Sequence, residues 1–348
     1  NPINNAISYV GRAVEKDDVL SFTTSQKGLF FLTKEKVMKV TAKGYRGTYD
    51  GKAHTINLSG YPSGSKISYR TSANGTWSTK KPTRTSAGTT TVSYKIEHPN
   101  YKALTGSAKI EVLGRNIAKG SITGLSTRTY TGKRINPNVI VKYGSTTLIK
   151  GKDYTLSYGE NTNAGKGSVK ISGKGNYIGT ITKTFTINKR SVSTLSYNSL
   201  STRTYTGKAI KPSITVKYGK TTLKNGRDYT LSYGKNVATG KGTVKITGKG
   251  NYSGTITRSF KIVPKKPSVS IKAGKGSLKV TAKATGASGY QIAYATSAKG
   301  KLKYVTSGTS KTLKLSRNKT YYVKVRAYKI VGNKKCYSSY STLRCIRT

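Results

Sequence analysis

Two stretches of this chain, 125–187 and 200–262, align without a gap at an offset of 75 residues, and 44 of their 63 positions are identical. A fixed period of this size confines the chain to architectures in which one small folding unit is copied along the sequence. Each copy opens with Ser-Thr-Arg-Thr-Tyr-Thr-Gly-Lys (126–133 and 201–208) and runs through Val-Lys-Tyr-Gly (141–144 and 216–219). Asp-Tyr-Thr-Leu-Ser-Tyr-Gly follows (153–159 and 228–234), then Gly-Lys-Gly-Asn-Tyr (173–177 and 248–252). The last run ends in Phe185-Thr186-Ile187 or Phe260-Lys261-Ile262.

Inside a copy the period is two. Tyr154, Leu156 and Tyr158 alternate with Thr155 and Ser157, and Val169 and Ile171 alternate with Ser168, Lys170 and Ser172. One apolar side at that period marks an antiparallel sheet packed on one face. Gly144, Gly151, Gly159, Gly165, Gly173 and Gly179 supply the turns. No segment has a convincing helical period. A more divergent relative spans 37–113, with Tyr49-Asp50-Gly51-Lys52 in place of Tyr130-Thr131-Gly132-Lys133 and Asn100-Tyr101 in place of Asn176-Tyr177. Trp77, the only tryptophan, is expected in that unit's core. Pro264 and Pro267 mark a linker into a different last segment, in which Tyr290–Tyr294 and Tyr321–Ala327 read as central strands. The chain is therefore expected to be all-β, a tandem array of small β-sandwiches at 37–113, 114–189, 190–263 and 264–348, extended to on the order of 150 Å. Residues 1–36, with four of the ten acids and an apolar Leu29-Phe30-Phe31-Leu32, are expected to form a partial module or an extra strand.

Lys and Arg number 64 against 10 Asp and Glu, a net charge of +54 over 348 residues. Low hydrophobicity with high charge suggests disorder. Here the charges alternate with strand-forming residues, and 26 tyrosines favour pleated sheet. No apolar run reaches 18 residues, so no membrane span is expected. The chain begins at Asn1 without a signal pattern, as a processed product or excised fragment would. Cys336 and Cys345 are nine residues apart, about 30 Å along one strand, so a bond between them would need a bulge or turn.

The motifs carry little chemistry. His54 and His98 lack the neighbouring ligands of a metal site and read as structural or surface residues. Asp153 and Asp228, the acids shared by the two close copies, read as turn residues bonding local backbone. Gly173-Lys174-Gly175 and Gly248-Lys249-Gly250 precede no helix, so they are hairpin turns and not phosphate loops. No catalytic residue, cofactor or metal is assigned.

The Tyr-Asp-Gly-Lys and Asp-Tyr-Thr-Leu-Ser-Tyr motifs, with the two Gly-Lys-Gly-Asn-Tyr segments, resemble the bacterial Ig-like repeats, of MBG or YDG type, in surface proteins of Gram-positive bacteria. The last segment resembles a fibronectin type III domain, with Leu315, Tyr321, Val323, Val325 and Ala327 on its F-strand spacing and Tyr321 as corner tyrosine. The resemblance implies Ig-like and fibronectin type III-like sandwiches at the cell surface or wall, serving as stalks, spacers or adhesive units. The repeated basic residues Arg128, Lys142, Lys166, Lys170 and Lys174, and their counterparts Arg203, Lys217, Lys241, Lys245 and Lys249, are the candidate polyanion-binding set. Nucleic acid fits by charge alone. The extracellular place implied by the resemblance favours teichoic acid or acidic wall and host glycans. The excess of Lys over Arg favours diffuse contacts. Two alternatives stand beside a structural and adhesive protein: an accessory region of a larger secreted enzyme, and a self-associating subunit of an extracellular fibre.

Overall fold

The computed structural model describes residues 36–348 and, before them, the antiparallel pair Val14–Lys16 and Val19–Ser21. The expected role of the rest of 1–36 lies outside the described residues. The protein is all-β. Among the described residues the only helical turns are two three-residue 3-10 turns, Ile117–Lys119 and Val192–Thr194.

The sheets recur with the sequence repeat. In the third copy, Arg203–Thr204, Thr255–Val263, Gly240–Gly248 and Tyr229–Tyr233 lie in that order in a four-stranded sheet. Ser196–Tyr197, Val216–Tyr218 and Thr221–Thr222 form a three-stranded one. The second copy repeats both sheets, with Arg128–Thr129, Thr180–Asn188, Gly165–Gly173 and Tyr154–Tyr158 in the larger. The divergent first copy keeps the larger sheet as Tyr45–Thr48, Tyr101–Leu113, Gly88–His98 and Lys66–Arg70. In all three the short first strand runs parallel to the last strand. The hydropathy pattern does not report that parallel edge. The two sheets close on one core. Val216 and Ile214 meet Val244, Ile246 and Tyr229 in the third copy.

Why the long strands carry glycine at Gly167 and Gly242 follows from the register. Each lies opposite the phenylalanine of the next strand, Phe185 or Phe260. A Cβ on either glycine would sit 2.5 Å from that ring's Cζ. The ring lies flat over the bare backbone, which places it in the core at 6% and 4% exposure.

The last segment differs. Ser268–Gly274, Ser277–Lys283 and Ser310–Lys314 form one sheet. Lys303–Ser307, Gly289–Ala295 and Thr320–Val331 form the other, with Lys334–Tyr337 and Arg344–Arg347 both paired to Thr320–Val331. Tyr321 is buried and its hydroxyl accepts from the Ser316 N–H at 3.2 Å, the tie expected of a corner tyrosine. Cys336 pairs with Lys329 and Cys345 with Tyr322 on the same strand, about 23 Å apart along it, and both thiols are free.

Trp77 is not a core residue. It is half-exposed on the first copy, with the Arg70 guanidinium 4.6 Å and the Lys95 ammonium 5.8 Å from its ring centre. A protein with this many cations uses the indole face to hold two of them.

By residue contacts the protein divides into two compact units. One comprises 1–116 with 173–178, the other 117–172 with 179–348. The hairpin 173–178 of the second copy thus belongs to the first unit.

Gly242→Ala is expected to destabilise the third copy by about 1–3 kcal/mol, because the added methyl must displace a core ring. Chemical denaturation followed by tyrosine fluorescence measures this. Phe260→Leu in the same background should recover part of the loss.

Candidate functional site

Among the described residues, the Asn-Tyr pair of each Gly-Lys-Gly-Asn-Tyr hairpin anchors a polar constellation that recurs between consecutive copies. In the first unit, Asn176 Oδ1 accepts from the Ala87 N–H at 2.8 Å, and the Asn176 carbonyl accepts from the Arg115 N–H at 2.9 Å. Arg115 Nε donates to the Tyr49 carbonyl at 2.6 Å. The Tyr177 ring is buried edge-on to Tyr49, 6.4 Å between centroids. Arg115–Asn116 and Tyr177–Ile178 form a short parallel bridge.

The second unit contains the same arrangement. Asn251 Oδ1 accepts from the Ala164 N–H at 2.8 Å and the Asn251 carbonyl from the Arg190 N–H at 2.9 Å. Arg190 Nε donates to the Tyr130 carbonyl at 2.9 Å, and its guanidinium lies 4.4 Å from the Tyr218 ring centre. Tyr252, 3% exposed, meets Tyr130 edge-on at 5.5 Å. Asn251 Nδ2 adds a bond to Asn163 Oδ1 at 2.9 Å. Each constellation is a clasp. A hairpin from one repeat and the arginine that opens that repeat close on the Tyr turn and the long-strand start of the repeat before. The parallel bridge recurs a third time between Lys36 and Tyr101, here with the hairpin as donor, the Lys36 carbonyl accepting from the Lys102 N–H at 2.9 Å.

Burial raises the Tyr252 phenol to about 12, with the neighbouring Tyr130 acting in the same direction and Arg190 against it. Asp228 sits low for two reasons, the adjacent Arg227 guanidinium first and the Lys224 N–H after its burial is offset. Asp153 accepts from the Ile149 N–H at 2.8 Å. Both aspartates therefore do the turn work expected of them. Two further asparagines, Asn161 and Asn236, are buried at positive φ of 47°. Each bonds two backbone carbonyls and one N–H, Ile135 and Ser168 for Asn161, Ile210 and Thr243 for Asn236.

The candidate basic residues do not form one stripe. Lys166 and Lys170, like Lys241 and Lys245, are exposed on the outer face of the larger sheet, beside Thr186, Thr182, Lys261 and Thr257. Lys142 and Lys217 are exposed on the opposite, smaller sheet, across from Thr147 and Thr222. Alternation sends all six outward, but through two different layers of the sandwich. Lys174 and Lys249 lie in the hairpin turns of the clasps. Arg128 is exposed on its edge strand, whereas Arg203 is half-buried and its Nε has no hydrogen-bond partner.

Cations elsewhere sit on tyrosines. In the last segment Arg326 lies 3.8 Å from the Tyr337 ring centre and 4.8 Å from Tyr340, Lys324 4.7 Å from Tyr340, and Lys335 4.6 Å from Tyr328. His54 stacks on Tyr45 and bonds Asp50 Oδ1 at 2.9 Å, and His98 meets the Ser63 carbonyl at 3.2 Å. Among the described residues no three His, Cys, Asp or Glu side chains gather as a metal would require. No helix there is long and apolar enough to cross a membrane.

No protein-family model matches the chain, and no curated protein does. Solved structures similar to it include the FN1–FN3 domains of chicken CNTN1, 16% identical over 89% of this chain and 98% of that one, with a TM-score of 0.22. A tetra-tandem repeat from the extending region of a large adhesion protein is 12% identical over 87% and 98%, TM-score 0.30. The N-terminal eight Ig domains of Down Syndrome Cell Adhesion Molecule are 10% identical over 86% and 47%, TM-score 0.19. At this level of superposition the fold rests on the sheets and cores described above.

Two outcomes test the clasp. Asn251→Ala leaves the Ala164 N–H without its acceptor and is expected to cost about 1–2 kcal/mol, read as a lowered thermal midpoint. Because the folded-state phenol of Tyr252 is raised from 10.0 to about 12, its contribution to stability is complete below pH 10 and is lost as pH rises through 12. Absorbance titration at 295 nm should show a late-ionising tyrosine that Tyr252→Phe removes.

Proposed function

We propose that this is a non-catalytic structural and adhesive protein of the cell surface, built of sandwich modules at 37–113, 114–189, 190–263 and 264–348, whose basic faces hold anionic wall or host polymers. The observation that carries this reading is the outer face of the larger sheet. In both close copies it presents lysines among threonine and serine hydroxyls at the same positions, Lys166 and Lys170 in one, Lys241 and Lys245 in the other. Hydroxyls accept and donate to sugars, and ammonium groups attract carboxylate, sulfate or phosphate. Each exposed contact is weak and screened. A polymer that meets many of them gains by multivalency. The clasps support the same reading, since they commit positions shared by the two close copies to joining modules and not to a reactive centre.

Purified protein is expected to bind teichoic-acid-bearing walls at physiological salt, and affinity should fall by about tenfold or more as NaCl rises from about 0.05 to about 0.5 M. Walls stripped of the polymer are the control. Equal, negligible binding to both walls contradicts the wall-polymer reading and leaves a spacer role.

A further inference from the structure

We infer that the cleft between the third repeat and the last segment, both within the second unit, is a binding site for a short acidic oligosaccharide; this deepens the polyanion reading above and rests on it. The cleft has a volume of about 560 Å³ and is lined by Lys241, Lys261, Lys334 and Lys335 around Phe260 and Val331. That volume lies within the range of small-ligand sites, about 300–1,000 Å³.

Its charge is unbalanced by construction. Lys241 and Lys261 stand directly opposite on neighbouring strands. Like charges so placed repel, and the sheet gains nothing from the pair. The hairpin carrying Lys334 and Lys335 brings two more cations to the same opening. No carboxylate lines the cleft. Four cations without a counter-charge make a site that a dianion or longer anion relieves.

The cleft is also fixed. The Cys336 thiol donates to the Ile262 carbonyl at 3.5 Å, and Val331 packs so close to Gly240 that a Cβ there would lie 3.0 Å from its Cγ1. Lys335 is steadied over Tyr328 at 4.6 Å. The two clasps are built differently, so this arrangement is specific to the junction with the last segment. The remaining lining chemistry selects among anions. Thr202 and Ser259 line the opening together with the apolar Val331. Hydroxyls and a small apolar patch beside cations suit a sugar ring bearing carboxylate or sulfate, where a bare inorganic anion would use the charge alone.

The test is calorimetric titration of the full chain with a heparin-derived hexasaccharide and with tetragalacturonate, the sulfated and carboxylated forms of one chemistry, and with neutral maltohexaose. One saturable site per chain is expected for an acidic probe and none for maltohexaose. Lys241→Gln with Lys334→Gln should weaken that site by about tenfold. Lys166→Gln with Lys170→Gln, the same charge removed from an open face, should weaken it by less than about twofold. All four residues are exposed, so neither double variant should lower the thermal midpoint, and relief of the Lys241–Lys261 repulsion can only raise it in the first. Equal losses in the two double variants, or equal binding of maltohexaose, overturn the cleft as a site. Absence of a calorimetric site while wall binding persists overturns the cleft and leaves the surface reading intact. Loss of both removes the two together.

Discussion

The clasp is the interaction on which the rest of the structure depends. A chain with 64 basic and 10 acidic residues cannot hold its parts together by ion pairs. At least 54 cations have no carboxylate of their own, and every sandwich repels its neighbour. Ion pairs such as Arg46–Glu111 are exposed and of the kind that contributes about 0–1 kcal/mol. The clasp avoids the shortage of acids by using neutral acceptors. Arg115 and Arg190 donate to the Tyr49 and Tyr130 carbonyls, and Asn176 and Asn251 supply amide oxygens to backbone N–H groups.

The same substitution of acceptor runs through the protein. Arg134 donates to the carbonyls of Tyr158 and Gly159, and Arg84 to that of Ala87. Tyrosine rings and the one tryptophan take up further cations through their faces, as Arg190 does on Tyr218 and Arg258 on Tyr197 at 5.4 Å. The abundance of tyrosine thus has a second purpose besides filling sheets. With carbonyls and rings holding those arginines, the strand lysines are left to face solvent. Structural cohesion and the basic surface are two consequences of one composition.

Much of the fold was legible in the sequence because it is written locally. Period-two alternation set Val169 and Ile171 inward and Lys170 outward, and glycine punctuation set the turns. Tyr321 was legible through the resemblance of its segment to a fibronectin type III F strand. What escaped was non-local. The Asn-Tyr pairs were visible as repeated turn residues, but their partners lie 87 and 89 residues upstream, and nothing in a turn motif names a distant N–H. The recurrence of Arg115 and Arg190 at the opening of consecutive repeats was the available signal. Trp77 was misplaced because its size suggested a core, whereas the neighbouring Arg70 and Lys95 make an exposed aromatic face useful. The distribution of the candidate lysines over two layers was not legible because a linear repeat does not say which of two sheets a strand joins. The cleft beside the last segment depends on Lys241, Lys261, Lys334 and Lys335, which only the docking of two unlike sandwiches brings together.

Amide hydrogen exchange by NMR at Ala164 and Arg190 tests the central claim most directly. Both N–H groups are bonded only through Asn251, one to its side chain and one to its carbonyl. If the clasp is closed in solution, the two amides exchange slowly and with a common opening free energy, close to that of the neighbouring strand amides of Gly240–Gly248. Exchange of both at the rate of an open loop would show that the hairpin does not dock, and would contradict the account.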